Sequence, residues 1–125
     1  MARDAQGIVV ATGSSEKNGI VGIGCAIHDT TTGTFDIAPI ATYTATLGPR
    51  DRLNPYFAEL IAISTALWNL AALPIRNRII NILSSNLLAL QAINHPKQQL
   101  GQTYINQIYK LAGKLMDMDN QILAI

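Results

Sequence analysis

Few side chains in this sequence carry chemistry, and they are spread along the chain. Glu59 is the most informative acid. It shares a helical side with Tyr56, Ile63 and Ala66 by i, i+3, i+4, i+7 spacing. A carboxylate on an apolar face must find partners or stay protonated. Two readings are open: a metal ligand, or a carboxylate hydrogen-bonded to the hydroxyls of Thr12 and Ser85 or wetted at the edge of a sheet. The hydroxyls themselves are not nucleophiles on this reading, because a Ser with no His nearby is not activated. Asp4 and Asp51 lie outside the elements that would bring acids together.

Cys25 is the single cysteine. One cysteine excludes a disulfide framework and a Cys-based zinc cluster, both of which need at least two. In the run 22–27 it reads as a small core residue. His28 and His95 share no metal-ligand spacing with each other or with Cys25, and both are expected at the surface. The stretch Gly13-Ser14-Ser15-Glu16-Lys17-Asn18-Gly19 lacks the Gly-Lys-Ser/Thr ending of a phosphate loop and feeds a strand, so it reads as a hairpin turn. Arg50, Arg52, Arg76, Arg78 and Lys97 read as solvated surface charges, with Asp51 between two of them. Trp68, Tyr104 and Tyr109 are expected in core or helix–sheet packing, since stacking platforms for bases need exposure beside basic residues.

The elements that would position these residues follow from periodicity and punctuation. Residues 7–12 form a short apolar strand and residues 19–28 a second, rich in Ile, Val and Gly. Residues 34–47 form a third, with Thr42, Thr44 and Thr46 on one side and Ala41, Tyr43, Ala45 and Leu47 on the other. Pro39 marks an edge strand or a local break. Short turns favour an antiparallel meander. After a loop at 48–52, Asn54 is a good N-cap and Pro55 suits the first helical position; this helix runs to about Leu73, where Pro74 stops it. Residues 78–84 are apolar on both faces, as in a central strand. Helices are expected at 86–94 and from 101 to about 118, and a last strand at 121–125. The order βββ-α-β-α-α-β implies a mixed sheet carrying helices. A right-handed crossover then sets the fourth strand beside and parallel to the first. Thr12, Glu59 and Ser85 converge in that arrangement.

Composition narrows the function classes. The chain has 125 residues, 49% apolar and 14% charged, with net charge +1. That length supports one domain with its own core. The apolar content excludes disorder, and the near-neutral charge is unlike a module that lives on phosphate contacts. The long apolar stretch from Phe57 to Ile75 is broken by Glu59, Ser64, Thr65, Asn69 and Pro74, so a buried helix is expected and not a membrane span. With no leader-like segment visible, the expected location is intracellular, in cytoplasm or nucleus.

This layout resembles the RNase H fold, and in particular the RNase H domain that follows reverse transcriptase in non-LTR retrotransposon polyproteins. The resemblance spans nearly the whole chain. Thr12-Gly13-Ser14 stands where the family has a strand-ending Asp-Gly-Ser. Ala58-Glu59-Leu60 matches its Ala-Glu-Leu early in the first helix. Ser84-Ser85-Asn86, followed by 89–93 and Asn94-His95-Pro96, matches its Thr-Asp-Ser, helix and Asn-Pro. Pro74-Ile75-Arg76 before the fourth strand also fits.

The resemblance implies an α/β, RNase H-like mixed five-stranded sheet, first three strands antiparallel, flanked by helices. It implies one domain, 1–125, truncated at its C-terminus. Active relatives use four carboxylates around two Mg2+ ions. Glu59 is the retained family carboxylate, while Thr12 and Ser85 occupy the positions of two aspartates. The fourth acid and the catalytic histidine belong to a C-terminal segment that this chain does not match. One carboxylate cannot hold two cations about 4 Å apart. The expectation is therefore a catalytically inactive RNase H-like domain of retroelement origin, with no cofactor and no metal site. It would act as a scaffold or protein-interaction domain, self-associating or binding a protein partner, with RNA/DNA hybrid a weak second and no membrane. The alternative is a ribonuclease H-type nuclease or hybrid-binding domain using divalent metal.

Overall fold

Asn18 and Gly19 take φ angles of 53° and 78°. Consecutive left-handed residues make the tight two-residue turn whose twist matches paired strands, and Asn-Gly is the dipeptide that adopts it most readily. This turn joins β1 (Gly7–Lys17) to β2 (Ile20–Asp29), with Lys17 opposite Ile20. The first strand thus runs on through Gly13, Ser14 and Ser15, which the sequence reading had placed in the turn. The computed structural model describes residues 7–29, 40–49, 54–84, 86–94 and 102–124. Asp4, Pro39, Arg50, Asp51, Arg52, Ser85, His95 and Lys97 lie outside the described residues.

β3 (Ala41–Pro49) pairs antiparallel with β2 at the sheet edge. Gly48 and Pro49, expected in a loop, extend the strand; an edge position accommodates proline's missing N–H. The next element, α1 (Pro55–Ala71), starts as its signals require, for the Asn54 side chain accepts from the Phe57 N–H at 2.9 Å and Pro55 opens the helix. β4 (Ile79–Ser84), α2 (Leu87–Asn94), α3 (Gln102–Met116) and β5 (Gln121–Ala124) complete the order. At the start of α2, the Asn86 side chain accepts from the Ala89 N–H at 2.9 Å.

The five-stranded sheet has the order β3-β2-β1-β4-β5. β1 and β2 are antiparallel, as are β2 and β3, while β1–β4 and β4–β5 are parallel. Alternation divides the sheet into two faces. The inner face carries Ile8, Val10, Thr12, Val21, Ile23, Cys25, Ile27, Ile80 and Ile82, all buried. Leu60, Ile63, Leu67 and Leu70 of α1 and Ile105, Ile108, Leu111 and Leu115 of α3 share its core. α2 joins from the same layer through Ala89 and Ala92. The outer face presents Val9, Ala11, Gly13, Gly22, Gly24, Ala26, Ile79, Asn81 and Leu83, none of them buried.

Two aromatic expectations are corrected. Trp68 is 62% exposed, because the inward stripe of α1 runs through Leu60, Ile63, Leu67 and Leu70 and Trp68 falls outside it. Tyr104 is likewise exposed. Tyr109 does pack against the core, donating its hydroxyl to the Ile93 carbonyl at 2.6 Å.

Candidate functional site

The convergence begins with register. Thr12, near the middle of the long β1, pairs with Cys25 on β2 and with Ser84 on β4. Register partners share a face. Thr12 and Cys25 are both 8% exposed, in the layer between the sheet and α1. α1 packs on β1 and β2, with Ala58 and Ala62 set against Val21 and Ile23.

Glu59 is carried into this layer from the second turn of α1. It is 0% exposed, and among the described residues neither carboxylate oxygen has a hydrogen-bond partner. Of the outcomes expected of a non-functional Glu59, wetting and the bond from Thr12 are corrected, while Ser85 lies outside the described residues. Glu59 is not wetted, and the Thr12 hydroxyl donates to the Leu83 carbonyl at 3.4 Å instead of to Glu59. The hydroxyl of Ser84 is also engaged, accepting from the Asn86 N–H at 3.2 Å. Burying an ionised carboxylate without a donor or cation is among the most expensive arrangements a core can hold.

Cys25 meets its expectation as a small core residue. Burial pushes its thiol up to about 11, so it stays protonated and unreactive near neutral pH. His28 is half-buried near the end of β2, on the outer face. Arg78 is not a solvated surface charge. It forms an ion pair with Asp29 and donates to the Gly7 carbonyl at 3.4 Å, tying β2, β1 and the start of β4 together. Arg76 is exposed.

The sequence reading missed Asn120, which is 4% exposed in the turn before β5. Its amide donates to the carbonyls of Ile75 at 3.0 Å and Leu115 at 2.9 Å, and its oxygen accepts from the Arg78 N–H at 3.0 Å. Its place next to Asp119 and near Asp117 gave no sign of burial; only the long-range packing does.

Solved structures with this architecture identify it. LC11-RNase H1, isolated from compost by a metagenomic approach and crystallised in complex with an RNA/DNA hybrid, matches with a TM-score of 0.71 and 14% identity, over 94% of this chain and 84% of that one. The fold is that of RNase H. An N-terminal RNase H domain from Mycobacterium tuberculosis, solved as a fusion with maltose-binding protein, has a TM-score of 0.72 at 14% identity, over 96% of this chain and 82% of that one. RNase H1 from the archaeon Halobacterium salinarum has a TM-score of 0.63 at 14% identity, over 94% and 84%. No family model matches the chain, and no curated protein does. No helix among the described residues is long and apolar enough to cross a membrane.

The RNase H fold implies a pair of Mg2+ ions, and the donor set can be tested against them. Magnesium takes hard oxygen ligands in octahedral geometry, usually carboxylates together with substrate phosphate. In this layer the described residues offer one carboxylate and two neutral hydroxyls already engaged with backbone. No group of three or more His, Cys, Asp or Glu that could hold a metal occurs among the described residues. That set does not fit two divalent cations.

Proposed function

We propose that this chain is a catalytically inactive RNase H-like domain of retroelement origin, derived from a reverse transcriptase polyprotein, that serves as a scaffold or protein-interaction domain. One observation carries the reading: Glu59 is buried with no described partner, and its layer holds neutral Thr12 where the family motif has an aspartate. Ser85, at the second such position, extends the same argument from sequence. The retroelement origin rests on the three motifs around Thr12, Glu59 and Ser85 in their order and spacing.

The physical argument is one of charge. Two-metal hydrolysis needs acids that bridge two cations and hold them against the attacking and leaving oxygens. A single carboxylate supplies half of one cation's charge. Hydroxyls bind Mg2+ weakly beside water, and the Thr12 hydroxyl is already committed to Leu83.

A second reading is binding of RNA/DNA hybrid without cleavage. The observation that favours it is the likeness in fold to LC11-RNase H1, which was captured with such a hybrid.

The deciding experiment incubates the purified chain with end-labelled RNA/DNA hybrid in Mg2+ or Mn2+, with Glu59→Ala alongside. The expected result is no cleavage by either protein. Cleavage that Glu59→Ala abolishes overturns the reading. Hybrid binding that weakens steeply with salt, in the absence of cleavage, favours the second reading, since phosphate contacts release counterions.

A further inference from the structure

The tip of the β1–β2 hairpin sets a nucleophile beside an electrophile. Asn18 is exposed, with φ 53°, and Gly19 follows at φ 78°. The register closes on Lys17 opposite Ile20, so both tip residues stand outside the ladder. Among the described residues, neither the Asn18 side-chain amide nor the Gly19 N–H makes a hydrogen bond. A Cβ built on Gly19 meets nothing within 4 Å, so its flank is open.

Asn77, Asn120, Asn54 and Asn69 lack this combination. Asn77 shares the left-handed backbone, with φ 58°, but the N–H that follows it, that of Arg78, donates to the Asn120 oxygen at 3.0 Å. Asn120 is 4% exposed and its amide donates twice, while the Gln121 N–H donates to the Arg78 carbonyl at 2.9 Å. Asn54 precedes Pro55, which has no N–H. Asn69 donates its amide to the Thr65 carbonyl at 2.8 Å.

We infer that Asn18 is a site of spontaneous deamidation, with water as the only co-reactant. The Gly19 nitrogen, its proton lost to hydroxide, attacks the Asn18 side-chain carbonyl carbon. A bond forms between them, the bond to the amide nitrogen breaks, and ammonia leaves with a proton taken from water. The product is a cyclic imide. Water then adds to one of the two imide carbonyl carbons and the ring opens. Breaking the new bond leaves aspartate in ordinary linkage. Breaking the original main-chain bond leaves isoaspartate, in which the chain runs on through the side chain. Nothing is oxidised or reduced.

Ring closure requires the peptide plane between Asn18 and Gly19 to turn. Glycine permits the rotation because it has no Cβ. Little opposes it at the tip, for β1 pairs with β4 only as far as Thr12 and beyond that with β2 alone. Glu16, Lys17, Asn18 and Ile20 are all exposed, and segments with few buried contacts open most readily. The two products act differently on the hairpin. Aspartate before glycine suits the same turn, and its carboxylate cancels the chain's net charge of +1. Isoaspartate lengthens the main chain, so Lys17 and Ile20 no longer meet across a two-residue turn, and the loosening starts beside buried Val21. The inference is independent of the function proposed above.

The whole folded chain, held for several weeks in buffer above neutral pH, tests this. Samples are digested with pepsin in acid, where cyclisation stops, and read by mass spectrometry. The expected result is conversion of amide to acid in the peptide containing Asn18, with isoaspartate, detected by isoaspartyl methyltransferase, among the products. Peptides containing Asn77 and Asn120 are expected to stay intact. Gly19→Ala sets a Cβ beside the attacking nitrogen and is expected to slow conversion at least tenfold. In ion-exchange chromatography the wild type is expected to develop an acidic form that Asn18→Gly, which keeps a glycine-compatible turn, does not. A chain that stays unconverted at position 18, one in which Asn77 or Asn120 converts as fast, a Gly19→Ala variant that keeps the wild-type rate, or an acidic form as abundant in Asn18→Gly overturns the inference.

Discussion

Thr12 and Ser84 are register partners across the parallel β1–β4 pair, and neither brings charge to the layer in which Glu59 is buried. Placing acids there should recreate both the need for a cation and the means of holding one. Thr12→Asp combined with Ser84→Asp is expected to lower the melting temperature in EDTA, because two carboxylates are added to the layer in which Glu59 is buried and the hydrogen bond from Thr12 to Leu83 is lost. Mg2+ should restore the loss by binding the folded state alone, and it should leave the wild type unmoved. Thermal melts with and without Mg2+ check this; a double variant that melts like the wild type and ignores Mg2+ would show that these positions do not face Glu59.

Glu59 itself opposes folding. Its carboxyl group is fully buried with no described partner, so replacing that polar group with an apolar one of similar volume should stabilise the chain. Glu59→Met is expected to raise unfolding stability by about 1–3 kcal/mol, the scale on which apolar residues of similar size improve on buried ionic groups. Urea unfolding with an unchanged m-value measures it. A destabilised Glu59→Met would mean that the carboxylate has a partner in the folded chain.

The order of elements was legible because its punctuation is local. Asn54-Pro55 and Pro74 bracket α1, and the apolar runs around Val10, Ile23 and Ile82 alternate or persist as strands do. The convergence of Thr12 with β4 followed from the handedness of one crossover. The length of β1 was misread because Gly13, Ser14 and Ser15 look like turn residues, whereas Asn18-Gly19 held the stronger signal. Trp68 was misread because hydrophobicity says nothing about which side of a helix a residue occupies when nearly every neighbour is apolar. The solitude of Glu59 was not legible at all. Whether a buried acid meets a donor depends on side-chain geometry across elements distant in sequence.

Asn120 ties parts of the chain that are distant in sequence. It joins the α1–β4 connection, the end of α3 and the start of β4 through its bonds to Ile75, Leu115 and the Arg78 N–H. Asn120→Ala strips the side-chain partner from the Ile75 carbonyl and the Arg78 N–H, while the Leu115 carbonyl keeps the Met118 N–H at 3.1 Å, with an expected loss of about 2–4 kcal/mol on the scale of about 1–3 kcal/mol per unsatisfied group. Asn120→Asp keeps the acceptor for Arg78 but discards both donors and sets charge against carbonyls, so it should not rescue. Denaturant titrations of both variants, compared at one temperature, check the ranking.

Cys25 gives the chain an alkaline limit. Burial pushes its thiol from 9.0 up to about 11, so between those values the folded chain keeps a proton that the unfolded chain releases. Stability falls with pH wherever the folded state binds more protons. The contribution from Cys25 is therefore fully present below pH 9 and disappears as pH climbs toward 11. Burial pushes Tyr56 and Tyr109 upward too, which steepens the fall in the same direction. Cys25→Ala starts from a lower stability, because it opens a small cavity beside Thr12, but its urea midpoint should decline less over that interval than the wild-type midpoint does. The thiol offers an independent readout. Iodoacetamide attacks thiolate, so labelling at neutral pH should proceed no faster than the protein opens and should accelerate to the rate of a free cysteine in urea. Rapid labelling of the folded chain at neutral pH would place Cys25 at an accessible surface and remove it as the source of the alkaline limit.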